Sequence, residues 1–377
     1  MTIYFVAGEA SADNHAAALM CSLRELDADL HFTGRGGPQM REIAGEQFKN
    51  WIDDAAVLGL WEVIRKYGYF REQFHETLNE IQESKPDAIV LIDYPGFNLR
   101  LARALRKQSP RQKIIYYISP QVWAWNRGRI KKMAGLLDLM LCIFPFEADL
   151  YNKSGLRAVF VGHPMIERLR ARKIDAERDP NLIGFFPGSR MREVRKIFPV
   201  MLESVPEFQK QNRDIRFEVA AASEELAREM REMLAQRGQD QQGIQIKVGE
   251  TAALMQRAFA GIVASGSATL EAAYFRLPFV LIYKVAWPTY LAARLVVSVK
   301  YLGMPNVLAD REVVPEFIQH RARPDAIVQA MRRLIADADA RDRMISEFDR
   351  IVGKLGEGGA SDQAARAIIE EIGAKSI

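Results

Sequence analysis

The stretch AIVLIDYPGFNLRLARALRKQ, residues 88–108, runs from an apolar segment into an acid, a Tyr-Pro-Gly turn and an amphipathic repeat. The apolar segment is too short for a buried helix and reads as a strand covered on both faces, as in a parallel sheet. Pro95 and Gly96 prevent its continuation, and the leucines and alanines that follow at helical spacing predict a helix. Strand, turn and helix in that order make half of a βαβ unit. Asp93, at the crest of the strand, is the unexpected residue.

The same alternation extends outward in both directions. TIYFVAG reads as a strand followed by a helix over about Asp13 to Leu26, and HFTGRGG, KIIYYIS, LDLMLCIF and AVFVG read as further strands. These form one doubly wound domain over 1–170. The charged, poorly periodic GHPMIERLRARKIDAERDPN reads as a linker, after which NLIGFFPG, RFEVAAA, IQIKVG, GIVAS and FVLIYK start the pattern again. The second α/β domain spans 181–345. A helical tail, 346–377, is expected either to pack back on the first domain or to exchange between subunits of a homodimer. The fold class is therefore α/β, with two doubly wound, Rossmann-like domains facing a central cleft.

Composition limits what such a chain does. Of 377 residues, 49% are hydrophobic and 27% charged, the balance of a globular protein. Cys21 and Cys142 are far apart in apolar surroundings, which indicates neither a disulfide framework nor a zinc site. The first residues lack the basic and long apolar regions of a signal peptide, so a cytoplasmic location is expected. The most apolar long window, 285–303, contains Pro288, Arg294 and Lys300 and does not read as a membrane span. A net charge of +4 favours anionic partners, phosphates or an acidic membrane surface, without requiring nucleic acid.

Ligands of open α/β sheets bind outside the carboxyl ends of the strands, so the strand-end loops carry the candidate residues. Asp93 there is placed to accept a proton from an attacking hydroxyl; the structural alternative is a turn, with Asn98 capping the next helix. In FFPGSRMREV, residues 185–194, Gly188 permits a close turn, Ser189 can cap the next helix, and Arg190 adds a fork for two phosphate oxygens beside a helix N-terminus. GIVASGSATLEAA, 261–273, repeats the strand, small-residue turn and helix. Ser265, Gly266 and Ser267 suit a phosphate and Glu271 suits ribose hydroxyls. Glu271 lies four residues after Ser267, one too many for a capping box. AGEASAD, 7–13, places Gly8, Glu9 and Ser11 in a loop whose acid disfavours phosphate and suits a sugar hydroxyl. GRGG, 34–37, is a turn that admits close backbone approach.

Other chemistries leave no trace: no GxxxxGK[ST], no HExxH, no CxxC, no Rossmann glycine fingerprint. The five histidines show no metal-ligand spacing. The Asp27/Asp29 and Asp337/Asp339 pairs sit at polar helix ends and read as solvated charge. No cofactor and no metal are expected. His163, in VGHPM, divides evenly between a structural turn and a site role. VLGLWEVIRKYGYFREQF, 57–74, mixes Leu60, Trp61, Ile64 and Tyr67 with Arg65 and Lys66, the composition of an interfacial helix.

The chain resembles the lipid-A-disaccharide synthase family. VAGEASAD, GRGGPQM, VLGLWEVI, IDYPGFN, YYISPQVWAWNRGRI, FPFE, FVGHPM, PGSR, SGSATLE, MPNVLA and VVPEFIQ recur in family order from about residue 3 to 372, and SPQVWAW is the most specific. The resemblance implies a two-domain, metal-independent, inverting GT-B hexosyltransferase attached peripherally to the inner membrane. It further implies UDP-2,3-diacylglucosamine as donor, 2,3-diacylglucosamine 1-phosphate as acceptor, and a β-1,6-linked disaccharide 1-phosphate and UDP as products. By family motif Asp93 is the base, Arg190 a diphosphate contact, and Ser267, Thr269, Glu271 and Asn306 contacts to the nucleotide. Arg127, Arg129, Lys131 and Lys132 are the basic residues available to the acceptor phosphate.

The chain departs from the family pattern at Gly96, where many members carry a second acid, and at Ala12, where many carry glycine. The first departure leaves Asp93 as the only acid of its motif. Rival readings are another UDP-sugar enzyme of this architecture, such as an N-acetylglucosaminyl transferase or a 2-epimerase, and a lipid- or nucleotide-binding protein without catalysis.

Overall fold

A computed structural model of the chain describes residues 1–52, 67–126, 128–210, 212–237, 243–287, 290–291 and 299–373. It divides into two compact units, Met1–Pro164 with Leu355–Ile377, and Met165–Lys354.

The first unit is built on seven parallel strands: β1 (Thr2–Ala7), β2 (His31–Gly36), β3 (Lys49–Asn50), β4 (Ala88–Ile92), β5 (Lys113–Tyr117), β6 (Leu139–Cys142) and β7 (Ala158–Phe160). Their order is β3-β2-β1-β4-β5-β6-β7. The two-residue period of a strand divides β4 between two cores. Ile89 and Leu91 join Tyr4, Val6 and Tyr116 on one face, while Ala88, Val90 and Ile92 join Ile3, Phe5 and Ile115 on the other. Both faces are covered, which is why the run reads as unbroken apolar sequence.

The helix Ala360–Gly373 belongs to this unit. Its small residues Ala364 and Ala365, with Ile368, are buried in the same core as Ala12 and Ala16 of the helix Ala10–Leu26. Polar contacts fix its register: Ser22 Oγ donates to Asp362 Oδ1 at 2.6 Å, and Glu371 accepts from Lys113 Nζ at 2.7 Å and Arg157 Nη1 at 2.6 Å.

Behind β2, Arg35 is fully buried and reaches the helix Tyr67–Ser84, donating to Glu76 Oε2 at 2.8 Å and to Glu80 Oε1 at 2.6 Å and Oε2 at 2.9 Å. Burial works against the Glu80 charge, but hydrogen bonds from Arg35, Lys49 and Tyr4 outweigh it and hold the carboxyl down to about 2. This cluster fixes the helix that follows residues 53–66.

The second unit repeats the plan with β8 (Asp179–Phe186), β9 (Arg216–Ala221), β10 (Ile244–Val248), β11 (Ala258–Ala264), β12 (Phe279–Tyr283) and β13 (Glu316–Ile318), all parallel, in the order β10-β9-β8-β11-β12-β13. Phe185 and Phe208 pack on Phe217 with ring centroids 5.2 and 5.7 Å apart. In both sheets the strand order reverses next to the first strand of the unit, between β1 and β4 and between β8 and β11. Such switch points open a crevice at the strand ends.

Candidate active site

At the first switch point Ala7 of β1 pairs with Ile92 of β4, so the loops that follow leave the sheet side by side. The contact is close: a Cβ on Gly8 would stand 2.5 Å from the Tyr94 ring, which requires glycine. Asp93 and Tyr94 both adopt left-handed backbone conformations, with φ of 46° and 50°. Two adjacent non-glycine residues in that region carry strain on the order of 1–3 kcal/mol each, so the surroundings must hold them.

They do so from several sides. The Asp93 N–H donates to the Tyr117 carbonyl at 3.0 Å. The Asp93 carbonyl accepts from Asn98 Nδ2 at 2.8 Å and from the Tyr116 hydroxyl, and Asn98 Nδ2 also reaches the Ile92 carbonyl at 3.2 Å. Asn98 is thus no helix cap: Tyr94 occupies the cap position of the helix Pro95–Gln108, and Asn98, a turn further in and fully buried, points back at the strand. Trp51 donates from Nε1 to the Ala7 carbonyl at 2.6 Å and packs edge-on against Tyr94.

The Asp93 carboxyl is half-buried, and its pKa is pushed up to about 6. Loss of solvent is the main cause and the Glu9 charge the second, against a backbone hydrogen bond from Tyr94 that lowers it. Glu9 takes the cap position of the helix Ala10–Leu26 but makes no side-chain cap bond, and both Glu9 and Ser11 are exposed. A cluster with this geometry can accept a proton near neutral pH.

The GRGG turn serves the scaffold. Its Gly37 N–H and those of Gln39 and Met40 in the helix that follows donate to the Asp13 carboxylate at 2.9–3.1 Å. The SPQVWAW turn follows β5 and is fixed from the helix Pro145–Asn152 after β6, where the fully buried Glu147 carboxylate accepts from Trp123 Nε1 at 2.8 Å; burial pushes its pKa up to about 7. His163 packs its ring on Phe144 with ring centroids 5.1 Å apart, and its backbone N–H donates to the Leu355 carbonyl at 2.8 Å. Lys131 and Lys132 are exposed, and Arg127 lies outside the described residues.

At the second switch point a cavity of about 490 Å³ opens at the ends of β8 and β11. Gly188, Ser189, Arg190, Ser267 and Glu271 line it, together with Glu193. Gly188 has φ +110°, which favours glycine, and turns the chain into the helix Met191–Gln209. The cap residue of that helix is Arg190, not Ser189, and Ser267 makes no side-chain cap bond to the helix Ala268–Tyr274. Both serines are exposed. Arg190 is 76% exposed, and its ion pair among the described residues, to Glu193 Oε1, is long at 3.4 Å. An exposed pair of that length binds weakly, so the guanidinium can engage an anion at the N-terminus of a nineteen-residue helix.

Glu271 accepts from Arg168 Nη2 at 2.9 Å. Thr269 and Asn306 are fully buried and do not line the cavity. Thr269 Oγ1 donates to the Gly266 carbonyl and holds the turn. Asn306 accepts from the N–H groups of Val313 and Val314 at 2.7 and 2.9 Å and donates to the Val314 carbonyl and Glu316 Oε1 at 2.8 and 2.9 Å. Asn306→Ala leaves buried donors and acceptors without partners, each at a cost of roughly 1–3 kcal/mol. The expected result is a loss of about 2–3 kcal/mol in urea unfolding; a fall in UDP affinity with stability retained would instead make Asn306 a ligand contact.

Sequence reading missed Tyr116, Glu147 and Glu193 as site residues. Tyr116 and Glu147 lie within the YYISPQVWAWNRGRI and FPFE stretches, and Glu193 in the first turn after PGSR. Leu60, Trp61, Ile64, Arg65 and Lys66 lie outside the described residues, as does the Tyr67 side chain. Among the described residues no helix is long and apolar enough to cross a membrane.

Known proteins resemble the chain at two levels. In shape, it is similar to the UDP-GlcNAc 2-epimerase from Neisseria meningitidis, solved bound to UDP-GlcNAc, with a TM-score of 0.64 and 13% identity over 98% of this chain and 100% of that one. It is also similar to the calicheamicin glycosyltransferase CalG4, with a TM-score of 0.59 and 14% identity over 100% and 99%. Identities that low establish the fold alone. In sequence, it is 38% identical to the lipid-A-disaccharide synthase of Geobacter sulfurreducens over 98% of this chain and 97% of that protein. It is 36% identical to that of Syntrophus aciditrophicus over 96% of each. The family model described as lipid-A-disaccharide synthetase matches residues 3–368. The chain therefore belongs to the lipid-A-disaccharide synthetase family and is a glycosyltransferase of lipid A biosynthesis with the GT-B fold.

Proposed function

We propose that the protein transfers the sugar of UDP-2,3-diacylglucosamine to the 6-hydroxyl of 2,3-diacylglucosamine 1-phosphate, giving the β-1,6-linked disaccharide 1-phosphate and UDP. The observation that carries this reading is Asp93, a carboxyl held at a strained turn on a switch point with its pKa raised to about 6. The acceptor hydroxyl gives its proton to Asp93 as its oxygen bonds to the anomeric carbon. The bond from that carbon to the diphosphate breaks on the opposite face, and the electron pair leaves with UDP. Arg190 and the N-terminus of the helix Met191–Gln209 stabilise the charge that builds on the diphosphate. Ser267 and Glu271 meet the nucleotide, while Thr269 and Asn306 support the loops.

Where this chain has Gly96 there is open space, and the second charge near Asp93 comes from the loop after β1 instead. In this reading the protein works from the cytoplasmic side on an anionic inner-membrane surface, with Leu60, Trp61, Ile64, Arg65, Lys66 and Tyr67 against the lipid, and requires no metal.

The test is disaccharide formation from the two acylated sugars in detergent, with and without EDTA. Product that survives EDTA is the expected result. A protein that binds UDP-sugar but yields no product over several acyl lengths would overturn the substrate assignment, and loss of product with EDTA would overturn metal independence.

A further inference from the structure

A second groove, of about 650 Å³, runs along the helix Met191–Gln209 past the carboxyl ends of β12 and β13, and the chemistry above does not use it. Its walls are basic. Arg195, Lys196, Lys284 and Arg323 line it with one acid, Glu203. Arg195, Arg323 and Glu203 are each compensated, by Glu229, Asp325 and Arg237 at 2.7, 3.2 and 3.0 Å. Lys196 and Lys284 have no ion pair among the described residues and leave the groove positive.

One lip of the groove is built and held. Gln319 donates from Nε2 to the Val285 carbonyl at 3.1 Å and accepts from the Val285 N–H at 2.7 Å, which clamps the segment carrying Lys284 and Trp287. The Tyr290 N–H donates to the Ala286 carbonyl at 3.0 Å. Trp287 and Leu291 lie four residues apart in the sequence. They are 57% and 56% exposed, the two most exposed large apolar side chains among the described residues.

An indole on the wall of an uncompensated cationic groove, with an exposed leucine four residues further along the chain, matches the layering of a bilayer surface, where aromatic rings sit at headgroup level and lysines meet anionic lipid. We infer that this groove docks the anionic headgroup of a bilayer phospholipid, with Trp287 and Leu291 entering the acyl boundary beside it. The inference rests on the reading that the protein works at a membrane, and adds to the contact proposed for residues 60–67 a second one on the second unit.

Flotation of the full chain with phosphatidylcholine vesicles, with and without phosphatidylglycerol, tests it. Each lysine is worth about fivefold at an anionic surface, so Lys196→Ala with Lys284→Ala is expected to weaken binding to the anionic vesicles about 25-fold. Arginine at both positions should restore that binding, and Trp287→Ser should weaken binding to both kinds of vesicle. Anionic-vesicle binding that survives the double alanine change overturns the inference. So does loss of turnover in detergent with vesicle binding retained, which would give the lysines to the phosphorylated acceptor. Competition by free inorganic phosphate at equal occupancy would mark a soluble-anion site and overturn it too. Parental turnover in detergent reports the proposed reaction separately, so neither failure masks the other.

Discussion

Asp93→Asn is expected to lower kcat by about 10²–10⁴-fold, the usual contribution of a positioned general base, without loss of the fold. Asparagine keeps the size of the side chain, and the strained backbone is held through the Asp93 N–H and carbonyl, which the substitution does not touch. Because the carboxyl is raised to about 6, the parent enzyme should lose kcat/KM as pH falls through that value. Glu9→Gln removes one of the two causes and should move that acid limb to lower pH, while desolvation keeps it above the usual aspartate value. Stability carries the opposite sign. A raised carboxyl contributes stability that is fully present below its unfolded pKa of 3.8 and is lost as pH rises through about 6. Asp93→Asn should therefore unfold in urea no more readily than the parent at pH 8. A variant that keeps more than a tenth of the parental rate would remove Asp93 from the base role.

The second large effect is at Arg190. Loss of a preorganised group that meets developing charge costs about 10²–10³-fold in kcat, and Arg190→Ala is expected in that range, with weaker UDP binding by calorimetry. Arg190→Lys should recover only part, since an ammonium keeps the charge but not the fork. Stability should stay within about 0.5 kcal/mol of the parent, as for surface changes generally, because the guanidinium is 76% exposed and its pair with Glu193 is long. Normal turnover in Arg190→Ala would place the diphosphate elsewhere.

The residues that could be read from sequence are those whose chemistry conflicts with their surroundings. Asp93 stood out because a carboxylate ends an otherwise apolar strand, and the Gly188–Arg190 turn because a small residue and a cation follow another. The switch points were not legible, since strand order within a sheet depends on pairings between distant segments. Roles that depend on where a side chain points were read less well. Asn98 has the chemistry of a cap and is used instead to hold the Asp93 carbonyl. Asn306 lies in a family motif, yet its amide braces the approach to β13. Glu147 is the acid of FPFE, but its role was not legible, because its partner is an indole twenty-four residues away. An amide or carboxylate serves a loop and a ligand with the same atoms, and only the fold decides which it meets.

The closure of the first unit by the helix Ala360–Gly373 bears on how the chain is made. Domains commonly fold in order as they leave the ribosome, but here the core that contains Ala12 and Ala16 lacks one wall until all of Met165–Lys354 has been translated. The nascent first unit must wait with that apolar face uncovered, while the second unit, continuous in sequence, has every strand it needs as soon as it emerges. Assembly should then run from the middle of the chain outward, and a chaperone would find its longest-lived target at the amino-terminal half.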